Sequence, residues 1–82
     1  MARRPTLTVC ILARNEERNI RRALESARPV ADEILVVDTG STDNTVSIAL
    51  ELGAKVIHHP WNDNFAEARN AGLAHATGEW VL

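Results

Sequence analysis

Residues 33–45 read EILVVDTGSTDNT, and this stretch decides the fold of the chain. Four consecutive apolar and mostly branched residues, 34–37, are typical of a strand buried on both faces, as in a parallel sheet. The strand stops at Asp38, a Gly-Ser-Thr turn follows, and Thr42 or Asp43 is predicted to cap the next helix. Open α/β sheets bind ligands at this edge, where a carboxylate suits sugar hydroxyls or a base N–H and a helix N-terminus suits phosphate. The stretch therefore predicts a nucleotide or sugar site.

Strands and helices are predicted to alternate along the rest of the chain. Apolar runs predict strands at residues 7–13, 33–38, 54–58 and 79–82, and apolar residues at helical spacing predict helices that end before Pro29 and that span about 44–52 and 65–76. The order βαβαβαβ implies right-handed crossovers, and hence an α/β fold with a Rossmann-like parallel sheet and helices on both faces. Nucleotide-binding halves of this kind adopt the strand order 3-2-1-4, with the fourth strand at an edge. The first and second strands are the most continuously apolar and are expected to be the most buried.

Local signals set the expected ends of the helices. Asn15 is predicted to cap the first helix, with Glu16 and Glu17 in its first turn, where carboxylates suit the helix dipole. Gly53 is the expected stop of the second helix. Gly72 lies inside the third helix, where glycine costs about 1 kcal/mol relative to alanine, so close packing of this helix on the sheet is expected.

Composition restricts the class of protein without choosing it. The 82 residues make one small domain, and a net charge of −2 with acids and bases interspersed argues against a nucleic-acid partner. The apolar run after the basic start is too short for a membrane span or an export signal. Cys10 lies inside that run and is expected to be a small buried hydrophobe in a reducing compartment.

The chain ends at Leu82, inside the predicted fourth strand. Natural domains seldom end on a buried strand, so this is expected to be the N-terminal piece of a longer protein. The unfinished strand leaves an unpaired sheet edge, through which the piece is expected to self-associate.

Several candidate site residues each have a purely structural alternative. Asp38 serves as a ligand acceptor or as a turn-forming aspartate, and Glu16 as a ligand contact or as a partner of the helix dipole. Arg69, next to Ala68 on the third helix, is either a solvated arm or an anion contact at the sheet edge.

Two other groups of residues are interpreted as structural. His58 and His59 are neighbours on a predicted strand and point to opposite faces, so one metal site can hardly take both, and replacing either is expected to be near neutral. Trp61 and Phe65 are predicted to form an apolar lid on the end of the sheet.

Four motifs occur in a fixed order: LARNEE at residues 12–17, the stretch at 33–45, ARNAG at 68–72 and GEWVL at 78–82. Together they resemble the N-terminal half of family 2 glycosyltransferases, which are inverting enzymes of the GT-A fold. Within this family, the sequence most resembles bacterial members that act on lipopolysaccharide cores or carry helical repeats behind the catalytic domain. The family more often has Pro-Thr-Tyr where this chain has Leu-Ala-Arg, and Asp-Asp-Gly-Ser where it has Asp-Thr-Gly-Ser.

The resemblance implies that residues 1–6 are a tail and that residues 7–82 are the nucleotide-sugar-binding half of a glycosyltransferase domain. Asp38 would accept hydrogen bonds from the base or ribose, and Arg69 would face the base or diphosphate. The six residues that the resemblance assigns to the nucleotide-sugar pocket are Leu12, Ala13, Arg14, Glu16, Asp38 and Arg69.

The resemblance also implies a reaction for the parent protein. A sugar would pass with inversion from a nucleotide-diphosphate donor, such as a UDP-sugar, to a saccharide or lipid-linked acceptor, in cell-envelope polysaccharide synthesis in the cytoplasm. The Asp-x-Asp ligands of a divalent Mg²⁺ or Mn²⁺ and the general base are expected beyond Leu82. The 82 residues are therefore expected to hold no catalytic residue and no metal ligand, and to be inactive alone.

Two alternatives use other features of the chain. It could be a non-catalytic nucleotide-binding or interaction module that functions as it stands. Residues 37–41 also match the aspartic-protease signature, but that fold is all-β, whereas here the triplet leads into a helix-patterned segment.

Overall fold

The structure is a computed structural model that describes residues 6–61, 63–78 and 80–81, with the backbone alone at 65, 80 and 81. Several predictions fall outside these residues, namely those for the tail before Thr6, for the side chain of Phe65 and for the two ends of the fourth strand, Glu79 and Leu82.

Four strands alternate with three helices in the described part of the chain. In chain order they are β1 (Leu7–Ala13), α1 (Ile20–Ala27), β2 (Glu33–Asp38), α2 (Thr45–Glu51), β3 (Lys55–His58), α3 (Phe65–His75) and β4 (Trp80–Val81). β1 pairs in parallel with β2 and β4, and β2 pairs in parallel with β3, so the sheet has the order β3-β2-β1-β4. The predicted α/β class and its parallel sheet are confirmed.

The two faces of the sheet are covered by different helices. Because right-handed crossovers run to β2 and β3 on one side of β1 and to β4 on the other, α1 and α2 pack on one face and α3 on the opposite face. The core cluster on the first face consists of the buried residues Ala13, Ile20, Leu24, Val36, Ala49 and Ala54.

α3 packs closely on its face of the sheet at Gly72. A Cβ atom at this position would lie 2.5 Å from Cys10 Sγ and 2.9 Å from Val37 Cγ2, closer than real contacts allow. The close packing that the mid-helix glycine predicted is confirmed. Cys10, expected to be buried, is half-buried beneath the helix.

The strands differ in burial. Residues 35–38 of β2 are all buried, whereas in β1 only Thr8 and Ala13 are buried and residues 9–12 are half-buried. β1 is thus less buried than β2 but more buried than β3, whose residues are half-buried or exposed, so the expectation that β1 and β2 are the most buried holds for the three strands whose burial is described. In the described residues β4 pairs with β1 only at its first two positions, so the rest of β1 has a neighbouring strand on one side alone.

The first helix starts later than predicted. α1 begins at Ile20, its N-cap residue is Asn19, and Glu16 and Glu17 lie in the turn before it. Asn15 does not cap this helix, because its Oδ1 accepts from the N–H of Thr42 in the neighbouring loop and its backbone, with a φ of 53°, lies in the left-handed region.

The other helix ends follow their local signals. Asp43 Oδ1 accepts a hydrogen bond from the backbone N–H of Thr45, the first residue of α2, at 3.0 Å, so Asp43 rather than Thr42 satisfies that helix end. Gly53, at a φ of 86°, follows the end of α2 as predicted. Asn64 Oδ1 accepts from the N–H of Glu67 at 3.0 Å and caps α3.

The carboxylate of Glu33, at the start of β2, bonds to β1, to β3 and to the segment before β4 at the amino ends of the strands. Its Oε1 accepts from Thr8 Oγ1 at 3.0 Å and from the N–H of Thr77 at 2.9 Å, and its Oε2 accepts from Lys55 Nζ at 2.6 Å. The Lys55 bond above all, with the Thr77 and Thr8 bonds, lowers the pKa of Glu33 to about 2, although partial burial opposes this. Glu33 therefore stays ionised through the ordinary pH range.

Gly72→Ala should destabilise the protein, because the added methyl group would have to push Cys10 or Val37 aside. Alanine gains about 1 kcal/mol of helix propensity, but overpacking typically costs about 1–3 kcal/mol, and two contacts shorter than 3 Å place this site in the upper half of that range, so we expect a net loss of about 1–2 kcal/mol. Urea unfolding measures this loss. Asn70→Ala, at an exposed position of α3, is the matched control and should leave stability almost unchanged. A Gly72→Ala protein as stable as the wild type would contradict the packing.

Glu33 should make stability depend on acid. Its pKa in the folded protein lies below the ordinary value of 4.5, so the unfolded chain takes up this proton more readily. Its contribution is therefore complete above about pH 4.5 and is lost as pH falls toward about 2. The difference in unfolding free energy between wild type and Glu33→Gln should be large near pH 7 and shrink near pH 3. Glu25→Gln, at an exposed glutamate of α1, should show no such trend.

Candidate functional site

The loops that follow β1 and β2 start at the same edge of the sheet and are bonded to each other. Thr39 N–H donates to the carbonyl oxygen of Ala13 at 3.0 Å, which extends the strand pairing by one step. Beyond this point, Asn15 N–H donates to Ser41 Oγ at 2.9 Å, and Thr42 N–H donates to Asn15 Oδ1 at 2.7 Å. The bonding is thus reciprocal, since each loop accepts hydrogen bonds from the backbone of the other.

The same exchange continues one turn further. Glu16 N–H donates to Thr45 Oγ1 at 2.8 Å and Glu17 N–H to Asp43 Oδ2 at 3.2 Å, while Asn44 N–H donates to Glu17 Oε2 at 2.9 Å. At the start of α2, the N–H groups of Asn44 and Thr45 are bonded within the protein, to Glu17 Oε2 and Asp43 Oδ1. These two N–H groups are therefore not offered to phosphate, and binding of phosphate at this helix end stays a prediction.

Asp38 lies at the centre of this edge with a relative exposure of 5%. Its Oδ1 accepts from the N–H of Ser41 at 3.0 Å, and its Oδ2 lies 3.2 Å from His58 Nδ1. Burial raises the pKa of Asp38, but hydrogen bonds from Ser41 and from His58, with the electrostatic attraction of His58 for the carboxylate, together bring it below the ordinary value. The carboxylate is therefore ionised at neutral pH and acts only as an acceptor.

Two cavities adjoin at this edge. One of about 340 Å³ is lined by Leu12, Ala13, Arg14, Glu16, Thr39 and Trp61. The other, of about 330 Å³, is lined by Arg14, Asp38, Thr39, Gly40, His58, Pro60 and Trp61. Each lies within the size range of small-molecule sites. Because they share Arg14, Thr39 and Trp61, the two cavities adjoin, and five of the six residues predicted for the pocket line this two-part hollow.

The sixth predicted residue, Arg69, lies elsewhere. It is exposed on α3, which covers the opposite face from α1 and α2, and it lines neither cavity. Its charge acts on Cys10, where burial raises the pKa of the thiol and Arg69 partly offsets that rise. A role for Arg69 at the base or diphosphate stays a prediction.

Five residues of this hollow were not among the predicted site residues, namely Thr39, Gly40, His58, Pro60 and Trp61. Thr39 lines both cavities and is buried. Trp61 also lines both, held by its N–H on the carbonyl of Thr39 at 3.1 Å and by its indole Nε1–H on Asp63 Oδ1 at 2.8 Å. His58 was set aside as one of a histidine pair. The signal that could have identified it is the register, since Asp38 and His58 are paired on adjacent parallel strands.

A larger hollow of about 500 Å³ lies at the other edge of the sheet, near the amino ends of β2 and β3. Its charged groups are bonded within the protein. Lys55 pairs with Glu33, Arg28 donates to the carbonyl of Leu52, and Asp32 accepts from the N–H of Leu7. Because parallel α/β sheets bind ligands at the carboxyl edge, we assign the site to the Asp38 side.

Two features of the described residues bear on other functions. Among the residues that the structure describes, no three His, Cys, Asp or Glu side chains are grouped so that they could hold a metal ion, and no helix is long and apolar enough to cross a membrane. The aspartic-protease alternative is wrong for this fold, because the Asp-Thr-Gly-Ser segment joins a parallel strand to α2 in an α/β sheet rather than two strands of an all-β protein.

Comparison with known sequences gives one family. The model of the family described as glycosyl transferase family 2 matches residues 8–82. An uncharacterized glycosyltransferase of Rickettsia bellii is 49% identical over 76 residues, and a TPR repeat-containing protein of Synechococcus elongatus is 45% identical over 76 residues. Each match covers 93% of this chain but only 26% and 19% of those proteins. The chain thus spans about a fifth to a quarter of their length.

Solved structures agree with the sequence comparison. Glucosyl-3-phosphoglycerate synthase from Mycobacterium tuberculosis in complex with UDP superimposes with a TM-score of 0.81 at 33% identity, over 94% of this chain and 32% of that chain. The same synthase with Mn²⁺, UDP-glucose and phosphoglyceric acid gives a TM-score of 0.80 at 33% identity, over 94% of this chain and 31% of that chain.

Asn15→Ala should weaken the joint between the two loops. Alanine tolerates the left-handed backbone poorly and cannot accept the hydrogen bond of Thr42, so we expect a loss of about 1–2 kcal/mol in unfolding free energy. Asn15→Asp keeps the acceptor and should stay close to wild type, whereas Asn15→Gly keeps only the backbone freedom and should fall between. Equal stability of the alanine and aspartate variants in urea unfolding would show that the Asn15–Thr42 bond contributes nothing.

Proposed function

Because the chain belongs to glycosyl transferase family 2, we propose that residues 7–82 form the nucleoside-binding half of an enzyme that transfers a sugar from a nucleotide-diphosphate donor. The observation that carries the proposal is the convergence of Leu12, Ala13, Arg14, Glu16 and Asp38 on one hollow at the carboxyl edge of the sheet. These residues are held in place in two ways. β1 and β2 each lead into a helix, and the loops that follow the two strands are hydrogen-bonded to each other.

The chemistry of the hollow suits a uridine nucleotide. The Asp38–His58 pair offers a hydrogen-bond acceptor, and uridine presents donors to it at its base N–H and its ribose hydroxyls. Trp61 adds an aromatic surface and Arg14 a positive charge within the same hollow. The solved synthase that superimposes on this chain binds UDP, which supports UDP as the first donor to test.

The proposed reaction is a single displacement with inversion at the sugar. The acceptor hydroxyl would attack the anomeric carbon, the bond from that carbon to the diphosphate oxygen would break, and a base would take the hydroxyl proton. In this scheme the described residues bind and orient the nucleoside, and none touches the reacting atoms. The base would come from outside them.

A divalent cation, Mg²⁺ or Mn²⁺, is part of the proposal for the whole protein. The described residues do not form a cation site, so its ligands would also lie outside them. The solved synthase contains Mn²⁺ together with UDP-glucose, which supports a metal-dependent donor site in the family.

Other features of the whole protein follow only from the resemblance. We propose a saccharide or lipid-linked acceptor, a role in cell-envelope polysaccharide synthesis and a cytoplasmic location. Self-association through the open sheet edge also stays a prediction.

Asp38→Ala should weaken nucleotide binding in the full-length protein. Removing the carboxylate takes away both the partner that holds His58 and the acceptor of the Ser41 N–H, so the affinity for UDP should fall by about 10- to 150-fold, since bonds to charged groups contribute about 1.5–3 kcal/mol. Trp61→Ala, which changes the same hollow but leaves the carboxylate in place, should also lower the affinity for UDP. Isothermal titration with UDP, GDP, ADP and CDP measures both effects and the choice of base.

Arg21→Ala is the matched control for this titration. Arg21 lies exposed on α1, pairs with Glu51 and lines neither cavity, so its loss should leave the UDP affinity unchanged. If the wild-type protein bound none of the four nucleotides, or if Asp38→Ala bound UDP as tightly as wild type, the proposed site would be wrong.

A further inference from the structure

Asp38 is poorly placed to meet a ligand directly. Its side chain has a relative exposure of 6%, and each of its oxygens already has a partner, the N–H of Ser41 on Oδ1 and the ring of His58 on Oδ2. The side chain of His58, by contrast, is 68% exposed and lines the same cavity. The group that a nucleoside reaches first is therefore the imidazole and not the carboxylate.

The contact with Asp38 fixes which atom the imidazole presents. An ionised carboxylate only accepts hydrogen bonds, so His58 Nδ1 must carry the proton and donate it to Asp38 Oδ2 across the 3.2 Å contact. In the neutral ring the other nitrogen, Nε2, then bears a lone pair and accepts hydrogen bonds. A carboxylate that holds an imidazole in one tautomer is an established device in enzymes.

The pairing has a structural basis in the sheet. Asp38 ends β2 and His58 ends β3, and the parallel register places the two residues side by side. Backbone bonds reinforce this position, since the N–H of His59 donates to the carbonyl of Asp38 at 2.8 Å. The imidazole is thus anchored at its strand and at Nδ1.

We propose that His58 is a specificity-determining residue, whose Nε2 accepts a hydrogen bond from the nucleoside, and that Asp38 acts as the positioning residue behind it. The inference rests on the proposed function, because it names the atom that reads the nucleotide in the same hollow. The donor on the ligand is the imide N–H of uracil or a ribose hydroxyl. Cytosine has an acceptor where uracil has that N–H, so contact with the base would favour UDP over CDP.

This role differs from the sequence expectation that replacing His58 is near neutral. His58→Phe keeps an aromatic ring and removes both nitrogens. We expect it to raise the dissociation constant of the full-length protein for UDP by about 5- to 10-fold, the effect of one neutral hydrogen bond. His75→Phe makes the same change at an exposed histidine of α3 and should leave UDP binding unchanged.

A double-mutant cycle tests whether Asp38 acts through His58. Asp38→Asn keeps the shape of the side chain but lets the amide donate to Nδ1, which moves the ring proton to Nε2 and removes the acceptor. Asp38→Asn alone should therefore lower the affinity for UDP. In the double variant it should add almost nothing to the loss caused by His58→Phe. If the two fold-changes multiplied instead, Asp38 would contact the ligand independently and the proposal would be overturned.

Nitrogen-15 spectra of the imidazole give a readout that a purely structural role would not move. In the free protein, His58 should show the proton on Nδ1, and addition of UDP should shift the Nε2 resonance. Titrations with CDP and with 2′-deoxy-UDP then show whether the base or the ribose makes the contact.

The outcomes separate this inference from the function on which it rests. Absence of UDP binding by wild type would overturn both. Normal UDP binding with an unshifted Nε2 resonance, or with the proton on Nε2 in the free protein, would overturn the inference and leave the proposed function standing.

Discussion

The structure depends on the reciprocal hydrogen bonds between the two loops at the carboxyl edge of β1 and β2. Left alone, each loop would expose backbone N–H groups that its own strand or helix cannot satisfy. Asn15, Ser41 and Thr45 provide oxygens across the gap, so the two loops hold one another at a fixed distance. This distance between the loops sets the width of the hollow that Leu12 and Trp61 line. The hollow therefore forms only when both loops are folded.

The hydrogen bonds that the protein already makes at this edge also limit which of its groups can bind a ligand. The N–H groups of Asn44 and Thr45 at the start of α2 are bonded within the protein, whereas the Asp38–His58 pair faces the cavity at this edge. An ionised, nearly buried carboxylate behind an exposed imidazole gives a directional acceptor. Such an acceptor suits N–H and O–H groups, which agrees with the superposition of the chain on a synthase solved in complex with UDP.

The sequence predicted the features that local patterns determine, and it missed those that depend on distant neighbours. The apolar run before Asp38 was enough to place β2 and the edge of the site. Asn15 was assigned to a helix cap because its partner Thr42 lies 27 residues away, and His58 was dismissed because the register that places it beside Asp38 is a property of the sheet. The position of Arg69 relative to the site depends on which face of the sheet its helix covers. Residue spacing within the helix does not reveal that face.

Mapping the UDP contact by amide chemical shifts in the ¹⁵N-labelled full-length protein tests most directly whether the joined loops form the nucleoside site. The account predicts that the largest shifts fall at residues 12–16, 38–41, 58, 59 and 61. The hollow at the opposite edge provides the contrasting result. Largest shifts at Arg28, Asp32, Glu33 and Lys55 would place the nucleotide at the amino ends of the strands and would contradict the account.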